Sequence, residues 1–200
     1  MSCSIALRRS PKPGAFTATL ASTPRSPLTA CVFIANPTHG TVTRVKKSLE
    51  GGAAGAEGGW EWPSGNAAGH PRIVAGWSLG AAVAAQVAAR HGNDVAGVML
   101  LSPWDRLAEL ARLHYPAWLV DRFLPERYDS VEAAARIAAP ALVVHGDHDT
   151  IIPIALARRL HDALPEPKRW VEVPGAGHND LLARRETWEA MRAFLAERGR

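Results

Sequence analysis

The chain has 200 residues, room for one domain or for a domain and a tail. Its 47% apolar and 21% charged residues are ordinary for a globular chain. No stretch approaches the ~18 consecutive apolar residues of a membrane-spanning helix, so no integral membrane association is expected. Two cysteines, Cys3 and Cys31, exclude a disulfide framework or a cysteine-rich zinc site in the body of the chain. The net charge of +4 is unevenly placed: residues 1–49 hold seven Lys or Arg and no acid, leaving sixteen basic against nineteen acidic groups beyond them, a net of −3. That basic excess sits among Ser, Thr and Pro rather than in a Lys/Arg stripe on a folded face, so no nucleic-acid partner is expected.

In chain order, residues 1–27 show no apolar period and read as a disordered basic tail. They contain no apolar run of seven or more after a charged start, so a secretory signal is not supported and a cytoplasmic location is expected. A domain over 28–200 follows. Leu28 to Ala35 reads as a buried strand that ends in the turn cluster Asn36-Pro37-Thr38-His39-Gly40. Thr41 to Leu49 reads as a short helix, and 51–70, which carries seven glycines, as a loop. Arg72 to Ala75 is a brief β-prone run. Leu79 to His91 is an Ala-rich helix stopped by Gly92.

Val95 to Leu101 has almost no polar residue, as expected of a parallel strand covered on both faces. Residues 105–128 combine helical spacing with Pro116 and suggest a small cap. The apolar set Leu110, Leu113, Tyr115, Trp118, Leu119 and Phe123 within it reads as core in preference to lid. Asp129 and Glu132 form the spacing of a helix start. Ala141 to His145 is a further strand, Pro153 to Leu164 a helix opened by proline, and Arg169 to Val173 a last strand. Asp180 to Glu197 is an amphipathic helix carrying Leu181, Trp188, Met191 and Leu195 on one side. Strands alternating with helices predict an α/β fold: a mostly parallel sheet with helices on both faces.

Gly76-Trp77-Ser78-Leu79-Gly80 lies where a short strand meets a helix, the context of a nucleophile elbow. A tight strand-to-helix turn strains the backbone of its central residue and crowds the positions two before and two after, which glycine relieves. The serine hydroxyl then projects above the sheet, with the Leu79 N–H at the helix start facing the place where an oxyanion would form. The motif alone is weak. Two further stretches give it context. His145-Gly146-Asp147-His148-Asp149 places two acids at the C-terminal end of a strand, where α/β sheets bind ligands. Gly175-Ala176-Gly177-His178 presents a histidine on a glycine-rich loop. His145 and His148 do not read as metal ligands, because no partner cluster accompanies them, and no metal or cofactor is called for. Serine, then acid, then histidine is the chain order of α/β-hydrolases.

From about Arg72 to Glu197 the chain resembles the C-terminal half of an α/β-hydrolase, close to the small-capped serine hydrolases that include carboxylesterases, lysophospholipases and depalmitoylases. GWSLGAAVA, LLSPWDRL, APALVVHGDHDTIIP and VEVPGAGHNDLL carry the likeness. The resemblance implies Ser78 as nucleophile, Asp149 (in preference to Asp147) as acid and His178 as base. It implies hydrolysis of a small-molecule carboxylic ester or thioester through an acyl-enzyme, with the Leu79 N–H as one oxyanion donor. Family members take a second donor from a His-Gly loop, which maps to the backbone of Gly40. Trp77 and Trp104, beside the motifs, are expected to bind substrate. Gly40 and Gly76 are only 36 positions apart, so the N-terminal strands are expected to be incomplete. The alternative reading is a truncated, catalytically impaired relative acting as a binding module. Oligomeric state is not legible.

Overall fold

The computed structural model describes residues 2–9, 16–23, 30–36 and 41–47 as backbone strands, and residues 72–124 and 129–198 in full. In chain order the strands are β1 (Ser2–Arg9), β2 (Phe16–Thr23), β3 (Ala30–Asn36), β4 (Thr41–Lys47), β5 (Arg72–Trp77), β6 (Val95–Leu101), β7 (Ala141–Gly146) and β8 (Lys168–Val173). The helices are α1 (Leu79–His91), α2 (Leu107–Arg112), α3 (Ala117–Phe123), α4 (Ser130–Ala135), α5 (Ile154–Ala163) and α6 (Arg185–Arg198).

The apolar residues of the central strands divide by parity, as a two-residue strand period requires. Val74, Val98, Leu100, Ala141 and Val143 face one core, where α1 contributes Val83 and Val87, α4 Ala133 and Ala134, and α5 Leu160. Ile73, Ala75, Met99, Leu101, Leu142 and Val144 face a second core against Leu181 and against Met191, Phe194 and Leu195 of α6. Both faces of the sheet are thus covered, which is why these strands read as unbroken apolar runs. β5, β6, β7 and β8 pair in parallel and in sequential order. Right-handed crossovers between sequential neighbours place their helices on one face, and α6, which follows the last strand, returns on the other.

β3 lies antiparallel to β5, and β4 antiparallel to β3 at the sheet edge. The expected strand over Leu28 to Ala35 corresponds to β3. The expected helix over Thr41 to Leu49 is corrected to a strand: Thr41, Val42, Thr43 and Val45 are β-branched and favour extended backbone. Inside the stretch read as a disordered tail, β1 and β2 pair as a separate antiparallel ribbon whose register sets Ile5 opposite Leu20.

Asp129 caps α4 as its spacing implies, its carboxylate accepting the Glu132 N–H at 2.8 Å. The core assignment for the apolar set within 107–123 holds for Leu110, partly buried against a core cluster, and is corrected for four others. Leu113, Tyr115, Trp118 and Phe123 are exposed, Trp118 by 70%. The two helices around Pro116 run only six and seven residues and bury Ala108 and Val120 alone. The single helix expected over Asp180 to Glu197 is two pieces, a 3-10 turn at Leu181–Ala183 and α6, separated by an extended Arg184.

Candidate active site

Three loops meet at the carboxyl ends of the parallel strands. The first is the turn between β5 and α1. Ser78 has φ 55° and ψ −123°, a strained conformation for a residue with a side chain. It is held there by its own N–H donating to the Leu101 carbonyl of β6 at 2.9 Å and by its carbonyl accepting the Ala81 N–H at 2.9 Å. Gly76 makes the turn sterically feasible: a Cβ there would stand 2.0 Å from the Gly80 carbonyl oxygen. Leu79 is the first residue of α1, a helix of 13 residues, so its amide lies at the positive end of the helix dipole.

The second loop joins β7 to α5 and carries Asp149, whose side chain is fully buried. One carboxylate oxygen, Oδ1, accepts the N–H groups of Ile151 at 3.0 Å and Ile152 at 2.8 Å. This local turn aims the other oxygen, Oδ2, at the third loop. There His178, between β8 and the 3-10 turn, places Nδ1 2.8 Å from Asp149 Oδ2 and Nε2 2.9 Å from Ser78 Oγ. A carboxylate only accepts, so Nδ1 carries the proton and Nε2 is left to accept from the serine hydroxyl. Burial pushes the Asp149 carboxyl up. The hydrogen bonds from His178 and from the Ile152 amide, with the nearby imidazoles, outweigh it and hold the group ionised below its ordinary range. Trp77 stacks on the His178 ring, with centroids 5.3 Å apart and planes inclined by 30°.

The histidine loop is braced by residues outside the Ser78, His178 and Asp149 line. Asp147, the rival acid in the sequence, accepts the Gly175 N–H at 2.6 Å. Asp180 accepts the Gly177 N–H at 2.6 Å, and Arg184 donates from Nε to its other oxygen at 2.9 Å. The Gly177 amide is the chief cause of an Asp180 carboxyl held below its ordinary range. Gly146 lets the loop dock on the end of β7: a Cβ there would meet the Ala176 carbonyl oxygen at 2.1 Å. That carbonyl also accepts the His148 N–H at 3.0 Å. The four-residue spacing of Asp180 and Arg184 is visible in the sequence but reads as an ordinary helix-surface pair. The bracing role of Gly146 has no local signature, because its partner lies thirty positions away.

Of the site residues expected from sequence, Ser78, Asp149 and His178 come together, with Leu79 and Trp77 beside them. Trp104 is buried, packed with Ala82, Ile152 and Leu156, and Leu79, Leu107 and Leu110 lie against the same cluster. Gly40 lies outside the described residues, but its expected oxyanion role is corrected by the strands that flank it. β3 runs antiparallel to β5 with Cys31 opposite Trp77 and Ala35 opposite Ile73, and Asn36 pairs with Thr41, so β3 ends and β4 begins at the end of the sheet away from Ser78. Among the described residues no helix is long and apolar enough to cross a membrane.

Compared with known proteins, residues 64–197 match the family model described as serine hydrolase. An uncharacterized protein of Mycobacterium tuberculosis is 44% identical over 156 residues, which cover 76% of this chain and 55% of that protein. An alpha/beta hydrolase domain-containing protein of Caenorhabditis elegans is 31% identical over 127 residues, covering 62% of this chain and 35% of its own length. The chain therefore spans about half, or less, of these relatives. Among solved structures, a monoacylglycerol lipase of Paleococcus ferrophilus aligns with a TM-score of 0.55 at 19% identity, over 73% of this chain and 76% of that one. The esterase domain of a Rhodothermus marinus protein aligns with a TM-score of 0.54 at 22% identity, over 68% of this chain and 64% of that one. Both share the α/β-hydrolase fold seen here.

Proposed function

This chain belongs to the serine hydrolase family, and from that premise we propose that it cleaves carboxylic esters or thioesters through an acyl-enzyme formed on Ser78. The observation that supports this reading above the others is the hydrogen-bonded line Ser78 Oγ, His178 Nε2, His178 Nδ1, Asp149 Oδ2, at 2.9 and 2.8 Å, joining residues 100 and 29 positions apart.

In this mechanism His178 Nε2 takes the Ser78 proton as Oγ attacks the acyl carbon, since a serine hydroxyl holds its proton too tightly at neutral pH to attack unaided. Asp149 remains ionised, keeps the imidazole in the required tautomer and stabilises the imidazolium that forms. Trp77 fixes the ring plane from the side. The carbonyl oxygen gains negative charge as the tetrahedral intermediate forms, and the Leu79 N–H at the start of α1 donates to it. His178 then returns the proton to the leaving alcohol or thiol. Water, activated by the same imidazole, releases the acid and restores the serine.

The apolar side chains beside Leu79, with Ile152, Leu107 and Leu110 among them, favour an apolar acyl group of medium length. Trp104, itself buried, supports that cluster from within instead of meeting substrate, and the helices α2 and α3 serve as a small cap.

A series of p-nitrophenyl esters from acetate to palmitate tests the reading. The expected result is hydrolysis with a maximum at intermediate chain length, and a pre-steady-state burst approaching one nitrophenol per chain when deacylation limits. A folded chain that turns over no ester in the series contradicts it.

A further inference from the structure

The proposed chemistry makes no use of His145, yet this imidazole is fully buried at the end of β7, four residues before Asp149. Its Nδ1 lies 3.0 Å from the Gly146 carbonyl oxygen. A carbonyl only accepts, so in the neutral ring Nδ1 holds the proton and Nε2 is a bare lone pair. That Nε2 is buried without a hydrogen-bond partner among the described residues. It stands 4.0 Å from Asp149 Oδ2, the same oxygen that His178 Nδ1 holds at 2.8 Å. With Oδ1 committed to the amides of Ile151 and Ile152, Oδ2 sits between two imidazoles, one protonated toward it and one not.

We propose that His145 is a positioning residue that governs the acid side of the reaction: neutral, it leaves Asp149 Oδ2 to His178, and protonated at Nε2, it competes for that oxygen. The proposal rests on the Ser78, His178 and Asp149 reading given above. A proton taken from solvent turns the bare Nε2 into a charged donor facing Oδ2. The carboxylate then divides its hydrogen bonding and its charge between two cations, and stabilises the His178 imidazolium less. A buried unpartnered nitrogen otherwise costs stability for no return.

The charged and titratable groups facing His145 are few. Asp149 lies on its own loop and His178 on the loop after β8. Glu172 is its register partner on β8 and is paired in turn with Arg158 of α5 at 2.6 Å. On its other side the ring stacks on Trp170, with centroids 6.3 Å apart and planes inclined by 14°. His161 of α5 meets the same Trp170 edge-on, with centroids 5.6 Å apart. Burial keeps His145 neutral below its ordinary range, against the opposing pull of the Gly146 carbonyl and Asp149. The competing cation therefore forms only on the acid side.

The test compares the pH dependence of kcat/KM for the unmodified chain and for His145→Phe, which retains a flat ring and cannot be protonated. On the acid side the unmodified enzyme should pass through a loss of kcat/KM that His145→Phe lacks, so the ratio of the unmodified to the variant rate, constant at neutral pH, should fall as the pH is lowered. A purely structural role would lower the variant's activity at every pH and leave that ratio constant. A ratio that stays constant with pH in two active enzymes overturns the proposal while leaving the serine hydrolase reading intact, whereas absence of ester turnover in both overturns that reading first. Imidazole NMR of the unmodified full chain decides the matter independently of turnover or of whether the variant folds. The expected result is a neutral His145 protonated on Nδ1, whose acid titration shifts the His178 Nδ1 proton resonance. An Nε2-protonated neutral ring, or a titration that leaves His178 unmoved, overturns the proposal.

Discussion

Ser78→Ala is expected to lower kcat for ester hydrolysis by about 10⁶-fold while leaving the melting temperature nearly unchanged. The two halves of that expectation have separate causes. The strain at φ 55° belongs to any residue with a Cβ, so alanine bears the same conformational cost as serine and the turn persists. Only Oγ is lost, together with its contact to His178 Nε2. Because the nucleophile and its base act as one unit, His178→Ala should cost a similar factor, and the double variant little more than either single one. Additive losses in the double variant would show that Ser78 and His178 serve different steps.

Gly76→Ala carries the largest expected effect on folding. The added methyl would sit 2.0 Å from the Gly80 oxygen, 2.3 Å from the Gly80 carbonyl carbon and 2.7 Å from the Ala81 nitrogen. All three are backbone atoms in the first turn of α1, so relief requires the helix to shift along the sheet. α1 supplies Val83, Ala84, Val87 and Ala88 to the core it shares with Val74 and Val98, and moving it opens that core. A loss of about 3 kcal/mol or more is expected, read as a melting temperature lower by about 6–12 °C. Gly97→Ala is the internal control. Its nearest neighbour, at 2.8 Å, is the edge of the Phe194 ring, a side chain that can turn aside, so the loss should be smaller. Equal melting temperatures for Gly76→Ala and the unmodified chain would contradict the tight crossing of β5 and α1.

Much of this site is legible in the sequence because its constraints are local. A serine between glycines at a strand-to-helix junction, an acid just past a buried strand and a histidine on a glycine-rich loop each announce themselves within about ten residues. The parallel strands are equally plain, since burial on both faces removes polar residues from them. Less legible is whatever depends on partners distant in the chain. Asp147 and Asp180 look like a rival acid and a helix start, and only the folded loop shows them holding the amides of Gly175 and Gly177. Taking Asp180 into that loop separates the 3-10 turn from α6, which the apolar spacing alone reads as one helix. The apolar residues of 107–123 mislead for a related reason: helices of six and seven residues are too short to turn all of them inward. Thr41–Lys47 shows the limit of short-range pattern, where β-branching outweighs the helical reading.

Hydrolysis by this chain requires Ser78 to be a hydroxyl activated by His178 and Asp149, and a fluorophosphonate probe tests this most directly. Incubated with the folded chain and mapped by peptide mass spectrometry, the probe should form one covalent adduct, on Ser78. That adduct should fail to form in His178→Ala under the same conditions. A folded chain that stays unlabelled, or one labelled at another residue with Ser78 intact, would contradict it.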